Sequence, residues 1–378
     1  MTTTLIPVIA ALVAATVVLA LTPVSALLAR RLGAVDQPSG RRIHRTPTPR
    51  LGGLAIFAGF MLPVLWFVPG DPGARALLAG ATLIVLLGAI DDVWGLTPAV
   101  KLAGQVGCAA IPVAAGLTID HVTLPLLGVF DLGFAQYPLT IIWFVAIVNM
   151  INFIDGMDGL AAGVGGIGAS TFAILAASLG RADAAILAAA LAGACIAFLA
   201  FNFHPARVFM GDSGALLIGF VLAGVAVSGV MKSAAAVAVV APLIVLAIPI
   251  LDTSFVILRR MKHGLPVYSA DRSHFHHRFF TIGWSQRRTV LTLYAWCALL
   301  AGFALATRFV SWGAAAGVRP LGALALALLG LFCILASVYL IAVLEILKWR
   351  STPVINLVRG NRAERTRERD LAKERTRV

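Results

Sequence analysis

An all-α polytopic membrane protein of about eleven transmembrane helices is what this chain predicts, and three observations predict it. Of its 378 residues, 60% are hydrophobic and 12% are charged, against about 25% charged in a soluble domain. The apolar residues come in runs near the roughly 20 residues that carry a helix across hydrocarbon. The lysines and arginines fall mainly in the breaks between those runs.

Taken in order, the spans lie near 4–29, 52–69, 75–90, 100–117, 137–153, 159–179, 182–201, 213–230, 234–258, 288–308 and 320–347. The first lacks a basic leader and runs too long for a signal-peptide core, so it reads as a retained span. The third and fifth are short and suit an aqueous recess better than lipid. Residues 118–136 alternate weakly among turn residues and predict a small β-hairpin on the outer face. The four cysteines all sit in apolar runs, with neither metal spacing nor a disulfide framework. From about 359 onward Arg alternates with Glu and apolar residues almost vanish, as in a solvated segment beside lipid. The organisation expected is a transmembrane body over 1–350 and a basic cytoplasmic tail over 351–378.

A formal net charge of +13 would suggest nucleic acid until the charges are located. Eleven spans put the termini on opposite sides, and 25 of the 30 Lys and Arg then share one side. Basic loops stay in the cytoplasm, so the amino terminus faces out and the carboxyl terminus in. The charge reports topology and contact with a lipid bilayer, and nucleic acid is excluded as the reading.

That topology also sends the polar residues to one face. Asp91 and Asp92 end the third span, where adjacent carboxylates repel and are costly to bury without a cation. Lys101 stands at the mouth of the next span as a counter-charge or phosphate ligand. Asn149, Asn152, Asp155 and Asp158 recur every three residues, a polar ridge spiralling round the end of the fifth span, and Gly156 and Gly159 then loosen the backbone. Asn202 ends the seventh span. Asp212 opens the eighth, where helix capping competes with an anion site. Asp252 lies about two turns inside the ninth, and an intramembrane carboxylate is functional by default. His274, His276, His277 and Arg278 share a basic loop; three imidazoles without cysteine fit phosphate contact better than structural zinc. His44 and His204 are isolated and read as structural or solvated. Carboxylates, amides and imidazoles converging at one membrane face point to metal-assisted chemistry on a charged substrate.

Five motifs in order, over about 44–277, carry a family resemblance. They are Asp91-Asp92, Asn149-x-x-Asn152-x-x-Asp155-Gly-Met-Asp158-Gly159, Gly211-Asp212-Ser213-Gly214, Pro249-x-x-Asp252-Thr253 and Asp271-x-x-His274-Phe-His276-His277, preceded by Arg50-Leu51-Gly52-Gly53. The set resembles the polyprenyl-phosphate N-acetylhexosamine-1-phosphate transferases. Phe275 interrupts the three consecutive histidines usual in phospho-MurNAc-pentapeptide transferases, which favours the branch using UDP-GlcNAc.

The resemblance implies that undecaprenyl phosphate attacks the β-phosphorus of a UDP-HexNAc and releases UMP, the first membrane step of a cell-envelope glycan. It implies Mg²⁺, with Mn²⁺ as substitute, held by Asp212 with Asp92. It implies further that Asp91 or Asp92 assists the lipid phosphate and that Asp155 and Asp158 belong to the catalytic pocket. Lys101, Asn149, Asn152, Asn202, Asp252, His274, His276, His277 and Arg278 are then substrate contacts. A homodimer is compatible with the sequence and not required by it. Three other readings stay open: a phospho-MurNAc-pentapeptide transferase, an intramembrane prenyltransferase, and a cation-coupled transporter using Asp252.

Overall fold

A computed structural model describes residues 2–37, 47–68, 70–124, 128–231, 240–262, 284–310 and 320–343. They divide into two compact units, 1–330 and 331–378, and of the second unit residues 331–343 are described, the end of a single apolar helix. The expected tail over 351–378 lies outside the described residues.

The first unit is built of apolar helices with two small hairpins. Helices α1 (Thr2–Leu32), α2 (Gly52–Phe67), α3 (Pro72–Trp94), α4 (Pro98–Ala114), α5 (Gln136–Ile154), α6 (Leu160–Ser178), α7 (Ala182–Asn202) and α8 (Gly211–Val225) follow in order. α9 (Val240–Val245), α10 (Ala247–Lys262), α11 (Gln286–Phe309) and α12 (Pro320–Val343) complete the described set. Eight of the described helices are long and apolar enough to cross a membrane, so the all-α polytopic reading stands.

Three details differ from expectation. The third span is longer than it reads: Asp71 accepts the Ala74 N–H at 2.6 Å and Pro72 stands in the first turn, so α3 starts early and stops only at Gly95, whose φ is 72°. The short apolar helices are α2 and α4 instead. The ninth span is not continuous. Pro249 has no N–H for the Val245 carbonyl and its ring crowds that oxygen, and the chain turns at Leu246 between α9 and α10.

The expected hairpin is present: β3 (His121–Leu124) pairs antiparallel with β4 (Gly128–Asp131). A second, β1 (Val35–Asp36) with β2 (Thr48–Pro49), was not legible in two-residue strands.

Helix α8 is the axis of the unit. Almost all of it is buried, and α2, α3, α5, α6 and α7 pack round it. Among apolar helices in lipid, close backbone approach supplies the packing energy, and small residues permit it. A Cβ on Gly219 would lie 2.6 Å from Val148 Cα in α5; one on Gly88 of α3 would lie 2.5 Å from Ser213 Cα. These contacts bring the ends of α3 and α5 against the start of α8, where the polar residues are.

Candidate active site

Six helix termini meet at one end of the unit: the ends of α3, α5 and α7 and the starts of α4, α6 and α8. Asp91 and Asp92 occupy the last turn of α3, and neighbours on a helix diverge by about 100°, so they take different partners. The Asp91 carboxylate accepts the Leu96 N–H at 2.6 Å and lies 2.9 Å from Lys101 Nζ. Asp92 turns to α8, accepting the Asp212 N–H at 2.8 Å and both the N–H and the hydroxyl of Ser213 at 3.0 Å.

Asp92 is thus the N-terminal cap that α8 lacks locally, since the residue before the helix, Met210, has no capping side chain. Gly211 makes the approach possible. Its φ is 68°, and a Cβ there would collide with Arg50 O and the Asp92 carboxylate. The neighbouring strap is tied down on the other side: Gly52 and Gly53 donate to the carbonyls of Phe209 (2.9 Å) and Met210 (2.8 Å), and Phe209 donates to Pro49 O at 2.8 Å.

So held, Asp212 faces α4 and α5. Lys101, in the first turn of α4 behind the Thr97 cap, contacts Asp212 Oδ2 and lies 3.5 Å from Asn152 Oδ1. Asn152 donates to Asp212 Oδ1 at 2.8 Å. One ammonium therefore sits among three oxygen groups from three different helices. Asp155 follows as the C-cap of α5. Burial first, then the Asp212 and Asp92 charges, push its carboxyl well above the usual carboxylate range, an effect Arg50 partly offsets.

The structure gathers Asp91, Asp92, Lys101, Asn152, Asp155 and Asp212, with Asn149 one turn behind. Asp158 and Asn202 form a bracing layer beside them. Asn202, 2% exposed, accepts the Gly159 N–H and donates to Val208 O, both at 3.0 Å. Asp158, equally buried, binds His204 Nδ1 at 2.7 Å and the Ala206 N–H at 3.1 Å. Asp252 is buried in α10, a helix that packs on α5. His274, His276, His277 and Arg278 lie outside the described residues.

Three residues passed over as site residues are now visible. Ser213 completes the α8 cap, Gln105 pairs with Asn149, and Arg50 adds positive charge near Asp155. Ser213 and Arg50 stand inside the motifs Gly211-Asp212-Ser213-Gly214 and Arg50-Leu51-Gly52-Gly53, and Gln105 stands four residues after Lys101, on the same face of α4.

Among the described residues, no three His, Cys, Asp or Glu side chains are grouped as a metal site. The donors that do converge on Lys101 are all oxygens, the hard set that suits Mg²⁺, and Mg²⁺ commonly takes one or two carboxylates and fills its shell from phosphates and water. The residues present fit that ion.

A cluster of carboxylates and one ammonium, set where helix ends converge in an apolar bundle, defines a membrane-embedded enzyme for anionic substrates. Comparison narrows the class. The glycosyl transferase family 4 model matches residues 74–230. The Bacillus subtilis (strain 168) protein described as "Probable undecaprenyl-phosphate N-acetylglucosaminyl 1-phosphate transferase" is 39% identical over 76% of this chain and 81% of its own. A decaprenyl-phosphate N-acetylglucosaminephosphotransferase of Mycobacterium tuberculosis (strain H37Rv) is 38% identical over 73% and 76%. The undecaprenyl-phosphate alpha-N-acetylglucosaminyl 1-phosphate transferase of Escherichia coli K12 is 28% identical over 75% and 78%. The chain belongs to glycosyl transferase family 4, among the polyprenyl-phosphate N-acetylhexosamine-1-phosphate transferases.

Proposed function

We propose that this protein transfers N-acetylglucosamine 1-phosphate from UDP-N-acetylglucosamine to undecaprenyl phosphate, at the cytoplasmic face of a bacterial plasma membrane. The observation that carries the reading is the Lys101 ammonium shared by Asp91, Asn152 and Asp212 at the meeting of α3, α4, α5 and α8. Relatives named for this transfer support the chemistry, and the basic loops read from the sequence support the orientation.

In the reaction an oxygen of the lipid phosphate bonds to the β-phosphorus of the nucleotide sugar, and the bond from that phosphorus to the bridging oxygen breaks. Undecaprenyl-diphospho-N-acetylglucosamine forms and UMP leaves with the bridging oxygen. Both reactants are anions, so the chain's work is positioning and charge compensation. Lys101 offers its charge where the two phosphates would meet, and Asn152 orients the Asp212 carboxylate. A lipid phosphate dianion is nucleophilic unaided, so Asp91 is not required as a base, and it places Lys101. Asp92 holds the start of α8, and Asp158 and Asn202 hold the loops beside the pocket.

Asp212 would hold Mg²⁺ with a carboxylate of the Asp91–Asp92 pair, which lies beside it at the end of α3. When bound, the ion would screen the approaching phosphates and stabilise charge on the departing one.

The test is UMP release by purified protein given undecaprenyl phosphate, Mg²⁺ and a panel of UDP-sugars, with and without EDTA. Metal- and lipid-dependent UMP from UDP-N-acetylglucosamine is the expected result. Release confined to UDP-MurNAc-pentapeptide moves the protein to that branch, and no UMP from any donor discards the transferase reading.

A further inference from the structure

Asn149 reads in the sequence as a substrate contact, but the structure spends its hydrogen bonds elsewhere. Its Nδ2 donates to Gln105 Oε1 at 2.7 Å and to Val145 O at 2.8 Å, while its Oδ1 accepts from Gln105 Nε2 at 3.4 Å. Both N–H bonds of the amide are therefore engaged within the protein. Gln105 is 1% exposed, one turn along α4 from Lys101, as Asn149 is one turn along α5 from Asn152.

Helices α4 and α5 are thus joined by two polar rungs. The inner is Gln105, buried, with Asn149, half-buried, and the low dielectric round Gln105 strengthens the amide bonds between them. The outer is Lys101 with Asn152 at 3.5 Å, and both of those residues bind Asp212. Slipping α4 along α5 by one residue would move Lys101 by about 1.5 Å, enough to break its three-way contact. Apolar packing in lipid sets such a register weakly, whereas a reciprocal amide pair admits one setting.

We infer that Gln105 and Asn149 form a positioning pair whose amide bonds set the α4–α5 register at which Lys101 and Asn152 converge on Asp212, and that Asn149 does not touch substrate. The inference rests on the transferase reading above and assigns Gln105 a role in it.

The test is a double-mutant cycle in the purified full chain: Gln105→Leu, Asn149→Leu, both together, and the exchange variant Gln105→Asn with Asn149→Gln, which restores an amide pair across the same gap. UMP release is followed against UDP-N-acetylglucosamine concentration, with thermal unfolding on the same samples. Each single variant should lower kcat on the order of tenfold while KM for the nucleotide sugar stays within about twofold. The double variant should be no worse than the poorer single, and the exchange variant should regain most of the lost rate. A raised nucleotide-sugar KM for Asn149→Leu but not Gln105→Leu, or losses that multiply, overturns the inference, because Asn149 then acts on substrate independently of Gln105. If the leucine variants do not fold, the exchange variant decides: a rate within about threefold of wild type supports the pair, and a larger loss overturns it. A silent wild type overturns the transferase reading and this inference with it; an active wild type with multiplying losses overturns this inference alone.

Discussion

Asp92, at the end of α3, accepts the Asp212 N–H at 2.8 Å and so caps the helix that presents Asp212. A capping carboxylate is ordinarily local; here it arrives from 120 residues away. Two adjacent aspartates with the same chemistry consequently do different work. Asp92 anchors backbone, and Asp91 addresses Lys101.

Their substitutions should separate accordingly. Asp92→Ala strips three hydrogen bonds from the start of α8 and should cost about 1–3 kcal/mol of stability, with activity falling as Asp212 loses its place. Asp91→Ala should abolish most activity with a smaller change in melting temperature. Thermal unfolding and UMP release on the two purified variants check this; equal melting losses would contradict the division.

Lys101 stands between Asp91 and Asp212, and its removal leaves two facing carboxylates without their counter-charge. Lys101→Met should lower kcat by about 100-fold or more. Lys101→Arg should recover little, since a broad planar fork cannot take the place of a point charge among three oxygens. A Lys101→Arg variant with near wild-type kcat would show that charge alone suffices.

Close packing on α8 gives a test that alters no polar group. Gly88→Ala and Gly53→Ala each drive a methyl into backbone at Ser213 or Gly214 and should cost about 1–3 kcal/mol while displacing Asp212. Gly107→Ala on α4 meets nothing within 4 Å. It should leave activity and melting temperature close to wild type, or raise the latter slightly as helix propensity improves.

Asp155 carries a pH signature. Its folded carboxyl titrates well above its unfolded value, chiefly through burial. As pH rises from the unfolded value toward the folded one, the unfolded chain releases the proton first, so this group lowers stability across that interval and contributes no further change above it. Asp155→Asn should therefore melt higher than wild type at neutral pH and lose that part of the decline. Melting curves of both proteins across the acid-to-neutral range measure it; parallel curves would mean that Asp155 is charged without penalty in the folded protein.

What the residues announced in advance was whatever depends on composition and order. The all-α polytopic architecture followed from apolar run length, the β3–β4 hairpin from turn residues between weakly alternating segments, and the family from five motifs in sequence. Asp91, Asn152 and Asp212 stood in those motifs and Lys101 at the mouth of the fourth span, each at a helix end, and alternate ends of consecutive spans share a face. The division of labour among them was not available in that form. Whether Asp91 or Asp92 meets α8 depends on helix rotation, and whether Asn149 faces substrate or Gln105 depends on the α4–α5 register. The true length of α3 hung on the Asp71 cap, and the break at Leu246 on how Pro249 meets the Val245 carbonyl. A linear pattern states which groups reach the membrane face; rotation and register, set by backbone packing at Gly88 and Gly219 and by the Gln105–Asn149 amide pair, decide which of them touch.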